Sequence, residues 1–305
     1  MKLILILCLT FLSIFCTDNA NAGELNLRLE NFPKWEKLTE VQPAVGDLIY
    51  PQWMKGEWFV KSTLVDLVAP LAPDIVTPGF ESNRQYLDVP VSFKVRFVEQ
   101  SKTENLTRHL LQRREPEQRS GSPSYRTPLS LLRRREGYEV NYRTPLSLTR
   151  RGEGGEVVIA DRAYNGLNLA RAVLGNNAVK AVKVDPDSPN RQITFLQSQC
   201  VEEVICDRQL ISIVKNRATE NSADGRFIAT EVFKQLFKGG SRPYINSVES
   251  TTAYRLLSTS SISEPVIEAN QVTAVYLSSQ DPNYFKAINK PVALYKYRLE
   301  FFPIK

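Results

Sequence analysis

Along most of the chain, short runs alternate apolar and polar residues. Val91, Phe93, Val95 and Phe97 fall on one side of such a run, with Ser92, Lys94 and Arg96 on the other. A period of two places one row of side chains against a core and the other in water, so it predicts a half-buried strand. The same reading predicts strands over 57–64, 91–97, 157–161, 178–184, 191–197, 210–219, 227–237, 244–257, 271–279 and 292–302. Turn formers separate them, as in Asp185-Pro-Asp-Ser-Pro-Asn190, which predicts a hairpin loop. Such a succession predicts an all-β protein, an antiparallel barrel of about 8–10 strands. Closure is expected because the first and last strands are long and would otherwise leave exposed edges. Two stretches break the period. Residues 165–175 read as a helix between a capping Asn165 and a terminal Gly175, placed to cap one mouth of the barrel. A second short helix is expected over 281–289.

Three segments fall outside this pattern. Residues 1–22 begin with Met1-Lys2, continue through an apolar run to Cys16 and end on Ala20-Asn21-Ala22. That is the layout of a secretory signal peptide with cleavage after Ala22, and the run is short for a membrane span. Residues 101–156 surround an internal repeat whose last residue runs into the next strand: Tyr125–Val140 and Tyr142–Val157 agree at 13 of 16 positions. The segment is rich in Arg, Glu, Gln, Ser and Pro and poor in large apolar residues, so it predicts a disordered insertion within a single domain spanning 23–305. Its phrase PLSL-x-RR resembles translated intergenic repeats of filamentous cyanobacteria. Cys200 and Cys206, the two cysteines left after signal removal, read either as a small-loop disulfide or as two free thiols.

Composition changes this picture only through its distribution. The chain of 305 residues has 39 Lys+Arg against 33 Asp+Glu. Residues 101–156 hold 12 of those bases and 7 of those acids, so the remainder is almost neutral. A basic surface for nucleic acid is therefore not expected of the domain. The chain has one histidine, His109, and it lies in the insertion. That excludes a His-based triad, zinc site or proximal haem ligand from the predicted core. No nucleotide-cradling glycine motif is present. No catalytic residue, metal or cofactor is therefore expected. Asp185, Asp187 and Asn190 read as a plain turn before they read as a calcium loop. Asp161-Arg162 beside Tyr164-Asn165 reads as a buried ion pair that orients the helix.

Gly56-Glu57-Trp58 opens the first long strand and follows a turn carrying Trp53. This resembles the start of calycins, the lipocalin-like barrels, and makes Gly56, Trp53 and Trp58 structural candidates. In lipocalins a basic residue of the last strand packs across that tryptophan. Arg298 is the candidate, although alternation turns it outward with Lys296 and Glu300. A more extensive resemblance covers YPQWMKGEWFVKSTLVDLVAPLAPDIVTPGF (50–80), VSFKVRFVE (91–99), ADRAYNGLNLARAVLG (160–175), VKVDPDSPNRQIT (182–194), ESTTAYRLL (249–257) and VALYKYRLEFFP (292–303). These blocks resemble an uncharacterised cyanobacterial and chloroplast family known only as a domain of unknown function. The resemblance implies a periplasmic or thylakoid-lumen address. The expected function is an exported lipocalin-like barrel that carries a small apolar ligand, such as a pigment, lipid or quinone. Trp58, Phe93, Tyr164 and Tyr297 are the expected lining. The alternatives are a non-enzymatic assembly factor for membrane protein complexes and an isomerase on the same barrel.

Overall fold

A computed structural model describes residues 23–37, 41–101, 156–197, 208–239, 243–258 and 263–304. The predicted signal segment, the body of the insertion with His109, and Cys200 and Cys206 lie outside the described residues.

All ten predicted strands are present, within a few residues of their expected ends. Two short strands, β1 (Gln42–Pro43) and β2 (Ile49–Tyr50), precede them. The long ones are β3 (Gly56–Val68), β4 (Pro90–Ser101), β5 (Glu156–Ala160), β6 (Val179–Asp185), β7 (Ser188–Leu196) and β8 (Arg208–Asn221). They continue with β9 (Phe227–Lys238), β10 (Tyr244–Leu256), β11 (Ile267–Leu277) and β12 (Ala293–Pro303). Eleven strands lie side by side in the order β2-β5-β4-β3-β12-β11-β10-β9-β8-β7-β6, and β1 pairs separately with β8. Every pairing between these strands is antiparallel. The sheet curls into a half-barrel. The first and last long strands do meet, β3 against β12 from Trp58↔Pro303 to Val68↔Leu294.

The ladder is a path rather than a ring, because β2 and β6, at its two ends, do not pair with each other. Two other elements span that seam. The first is the stretch between β1, on β8, and β2, on β5, which crosses from one flank to the other as a strap. The second is helix α2 (Arg162–Leu174), which packs against β4 on one flank and β6 and β7 on the other. The predicted mouth cap is thus a seam element. Asp161, not Asn165, caps it, accepting from the Tyr164 N–H at 3.0 Å. Asn165 lies inside the helix and treats β4 as a neighbouring strand would. Its Oδ1 accepts from the Arg96 N–H at 2.6 Å, and its Nδ2 donates to the Arg96 carbonyl at 3.1 Å. The Arg96 carbonyl also accepts from the Asp161 N–H at 3.0 Å, so the side-chain amide supplies the partner that the Arg96 N–H would otherwise lack on this edge. On the other flank Gly166 meets β7 so closely that a Cβ there would lie 2.7 Å from the Gln192 Nε2.

On the convex face lies α1 (Glu24–Glu30), which the sequence reading did not predict. It buries Leu25 and Leu29 with Trp35 against Ile228, Ala253, Val272 and Tyr276. Arg28 clasps Glu249 with both Nε and Nη2 at 2.8 Å, and the Tyr276 hydroxyl donates to the same carboxylate at 3.1 Å. Glu249 is 1% exposed, so this charge-assisted pairing offsets its desolvation. The remaining short helix, α3 (Tyr284–Ala287), lies within the predicted 281–289 segment.

Candidate functional site on the concave face

Alternation places Trp58, Val60, Val95, Phe97, Ala269, Leu299 and Phe301 on the inner face. Met54, Val158 and Ile267 complete a closely packed cluster with them. Trp58 is 7% exposed, and its indole N–H donates to the Met54 carbonyl at 2.8 Å. Gly56 starts this strand at φ +127°, a conformation that only glycine adopts without strain. Trp53 and Tyr50 pack on the edge of the same cluster. At the far end, the excursion between β3 and β4 inserts Phe80 against Leu64, Leu67 and Ala293. Asn83 of that excursion donates to the Tyr295 hydroxyl at 3.1 Å.

Both ends of the concave face are therefore filled. Between them the lining loosens. Tyr297 packs against both end clusters and is half-buried. Its cross-strand neighbour Gln271 donates through Nε2 to the Ser250 hydroxyl at 2.6 Å. Phe93 of β4 and Phe233 of β9 are half-buried on the same face. Burial, then the neighbouring Tyr295, pushes the Tyr297 phenol up to about 12, so at neutral pH it keeps its proton and can donate. The zone thus offers aromatic surface with a few neutral donors and acceptors.

A charged cluster closes this zone on the strap side. Glu231 of β9 accepts from Arg162 of α2 at 2.6 Å and from Arg217 of β8 at 3.0 and 2.7 Å. Arg162 also faces Asp47 of the strap, at 3.8 Å. Arg217 donates to the Asn190 Oδ1 at 2.9 Å and to the Gly46 carbonyl at 3.2 Å. Burial by itself would raise Glu231, but the two guanidinium groups outweigh it and hold the carboxyl below its ordinary value. Burial in turn pushes Tyr50 well up, helped by Tyr254 and Glu231. With two bases and two acids, the cluster is balanced. Its members come from α2, the strap, β7, β8 and β9, so it fastens both seam elements to the sheet.

Of the four expected lining residues, Phe93 and Tyr297 reach the concave zone and Trp58 lies in the packed end. Tyr164 lies elsewhere. Its hydroxyl donates to Glu57 and its ring stacks under the Arg96 guanidinium at 4.4 Å, both on the opposite face of their strands from Trp58 and Val95. Arg298 is exposed, paired across the sheet with Asn270 and Thr63. The Trp58 N–H instead finds a backbone carbonyl. Asp161 pairs with Arg96 at 2.5 Å, while Arg162 points to the buried cluster. In the predicted turn Asp185 is engaged by Arg191 at 2.9 Å. Arg217 and Glu231 were missed. The available signal was a charged residue in the inward row of each strand, among Thr219, Phe227 and Ala229.

Residues 42–109 and 122–305 match the family described as a domain of unknown function, DUF6816. The chain belongs to that family. The DUF6816 match begins at β1, so it takes in the strap, the sheet, α2 and the charged cluster, and leaves α1 outside. No curated protein matches this DUF6816 chain. No solved structure matches it either.

Proposed function

We propose that this protein carries a small, largely apolar ligand on the concave face, of the class of a pigment, lipid or quinone, after export to a periplasm or thylakoid lumen. One observation carries the reading. The inner face is closely packed at both ends, while along it Tyr297, Phe93, Phe233 and Gln271 stay half-buried. Aromatic walls with a few neutral polar groups suit a molecule that is apolar along its length and carries a carbonyl or hydroxyl. The Tyr297 phenol and the Gln271 amide supply the donors, and the charged cluster marks the polar limit of the site.

Extraction and mass spectrometry of protein recovered from an exporting host test the proposal, together with titration of a quinone and a fatty acid against intrinsic fluorescence. A co-purifying apolar molecule, and quenching that Tyr297→Ala weakens, are expected. Recovery of no small molecule, with neither probe quenching, would refute the carrier.

A further inference from the structure

The loop between β11 and β12 turns large apolar side chains outward. Phe285 of α3 is 82% exposed and Ile288, just after it, is 54% exposed. The loop is well anchored: Ala287 and Val292 are buried with Ile75 of the β3–β4 excursion, whose own Val76 is 41% exposed. Exposed apolar side chains on a well-packed support do not follow from poor packing. They call for a surface to meet.

Backbone geometry makes the case independently. The Lys290 N–H donates to the Ala287 carbonyl at 2.8 Å, which closes a four-residue turn. Ile288 is its first central residue, at φ +41° and ψ −104°. These are the angles of a type II′ turn, a position glycine fills because a branched side chain is strained there. The fold would be served better by glycine. An isoleucine held in that strain, with its side chain in water, points to a use for the side chain.

The surroundings indicate what the surface is. Lys286 and Lys290 flank the two apolar residues and are exposed, and exposed Lys37 is tied to the loop through its N–H on the Asn289 carbonyl at 2.9 Å. Asp281 turns back into the loop, accepting from the Asn283 N–H at 2.8 Å. The other nearby acids are exposed Asp74, beside Ile75, and exposed Glu36, which offsets its neighbour Lys37, so the positive charge next to the apolar pair is that of Lys286 and Lys290. An aromatic and an aliphatic tip flanked by Lys286 and Lys290 combines shallow apolar insertion with attraction to anionic headgroups. We propose that Phe285 and Ile288 form a tip that docks this protein on an anionic lipid bilayer. The carrier reading supplies a reason for such contact, because an apolar cargo has to be loaded from or delivered to lipid. The tip itself is argued from its own residues.

Flotation with vesicles tests it, using phosphatidylcholine alone and phosphatidylcholine mixed roughly three to one with phosphatidylglycerol. The protein should float with the anionic vesicles and not with the neutral ones. Lys286→Ala and Lys290→Ala should each weaken binding about five-fold, and salt should weaken it further. Phe285→Ser should weaken it roughly ten-fold or more, with an unchanged thermal melt because the side chain lies outside the core. Ile288→Gly gives a signature that a purely structural role would not: a higher melting temperature together with weaker flotation. Failure of the protein to float, flotation indifferent to Phe285→Ser, or photocrosslinking from position 285 to another protein instead of lipid would each overturn the proposal. Quinone quenching followed on the same variants separates the two readings. Quenching without flotation removes the tip alone, and flotation without quenching removes the carrier alone.

Discussion

Replacing Glu231 by glutamine tests whether the half-barrel is held shut by charge. The amide fits the same volume but removes the negative charge between Arg162 and Arg217, which sit 2.6 and 2.7 Å from its Oε1. The side chains of Arg162, Glu231 and Arg217 are 18%, 19% and 10% exposed, so water cannot replace what is lost. Stranding a buried charge by removing its partner costs about 3–5 kcal/mol. Here Asp47 offsets part of the Arg162 charge, which favours the lower half of that range. For a domain of this size the melting temperature should fall by roughly 6–15 °C. Urea denaturation of both proteins gives the free-energy difference through the midpoint at equal slope. The pH dependence has a definite sign. The Glu231 carboxyl is held below its ordinary value in the folded protein. Its contribution is therefore complete above the ordinary carboxylate range and disappears as pH falls through the folded value, and Glu231→Gln should lack that acid limb. Converting all three residues to apolar ones of similar size, together with Asp47→Asn so that no carboxylate is left facing an absent Arg162, should restore most of the stability. A Glu231→Gln change that costs less than about 1 kcal/mol, the scale of exposed ion pairs, would refute the idea that this cluster is desolvated and closes the seam.

Other consequences are open to direct measurement. Burial pushes Tyr254 and Tyr297 up to about 12 from an ordinary 10.0. Both should stay protonated while the unfolded chain ionises, so stability should be lost as pH rises between those values, with tyrosinate absorbance appearing together with unfolding. Asn165→Ala removes both bonds to the Arg96 backbone, so it should cost about 1–2 kcal/mol and speed hydrogen exchange at the Arg96 amide. Arg28→Ala leaves the 1%-exposed Glu249 without its cation. It should cost about 3 kcal/mol and release α1 to limited proteolysis, and Glu249→Gln added to it should recover part of the loss.

Strands were legible in this chain because an inner face and an outer face impose a period of two that survives in any single sequence. Val91 to Phe97 could be read without a partner strand in view. Helix α2 was legible for a different reason, since Leu167, Leu169 and Ala170 among polar residues break that period. Its cap was misread, because Asp161 and Asn165 are both good capping residues. Which one caps depends on backbone angles, and Asn165 is claimed by the free edge of β4. Segment α1 is only seven residues long, and its identity as a helix comes from docking on the convex face. The charged cluster was least visible of all. Arg162, Arg217 and Glu231 are far apart in the chain and on different elements, and only the curl of the sheet brings them together. Tyr164 was misplaced for a related reason: a helix residue has no strand alternation to assign it to a face.

The rung Ser101↔Glu156 joins the ends of β4 and β5 directly across the ladder. The repeat-bearing stretch therefore leaves and re-enters the sheet at one point, and its length is decoupled from everything the sheet must position. Each doubling of such a connection costs only about 0.6 kcal/mol in closure entropy. In evolutionary terms the connection is a port: a sequence joined at that rung can lengthen or shorten without altering a register elsewhere in the sheet. In practical terms it is the place to graft a tag, a reporter or a second domain, or to cut back to a short turn, while the concave face and the apolar tip stay as they are.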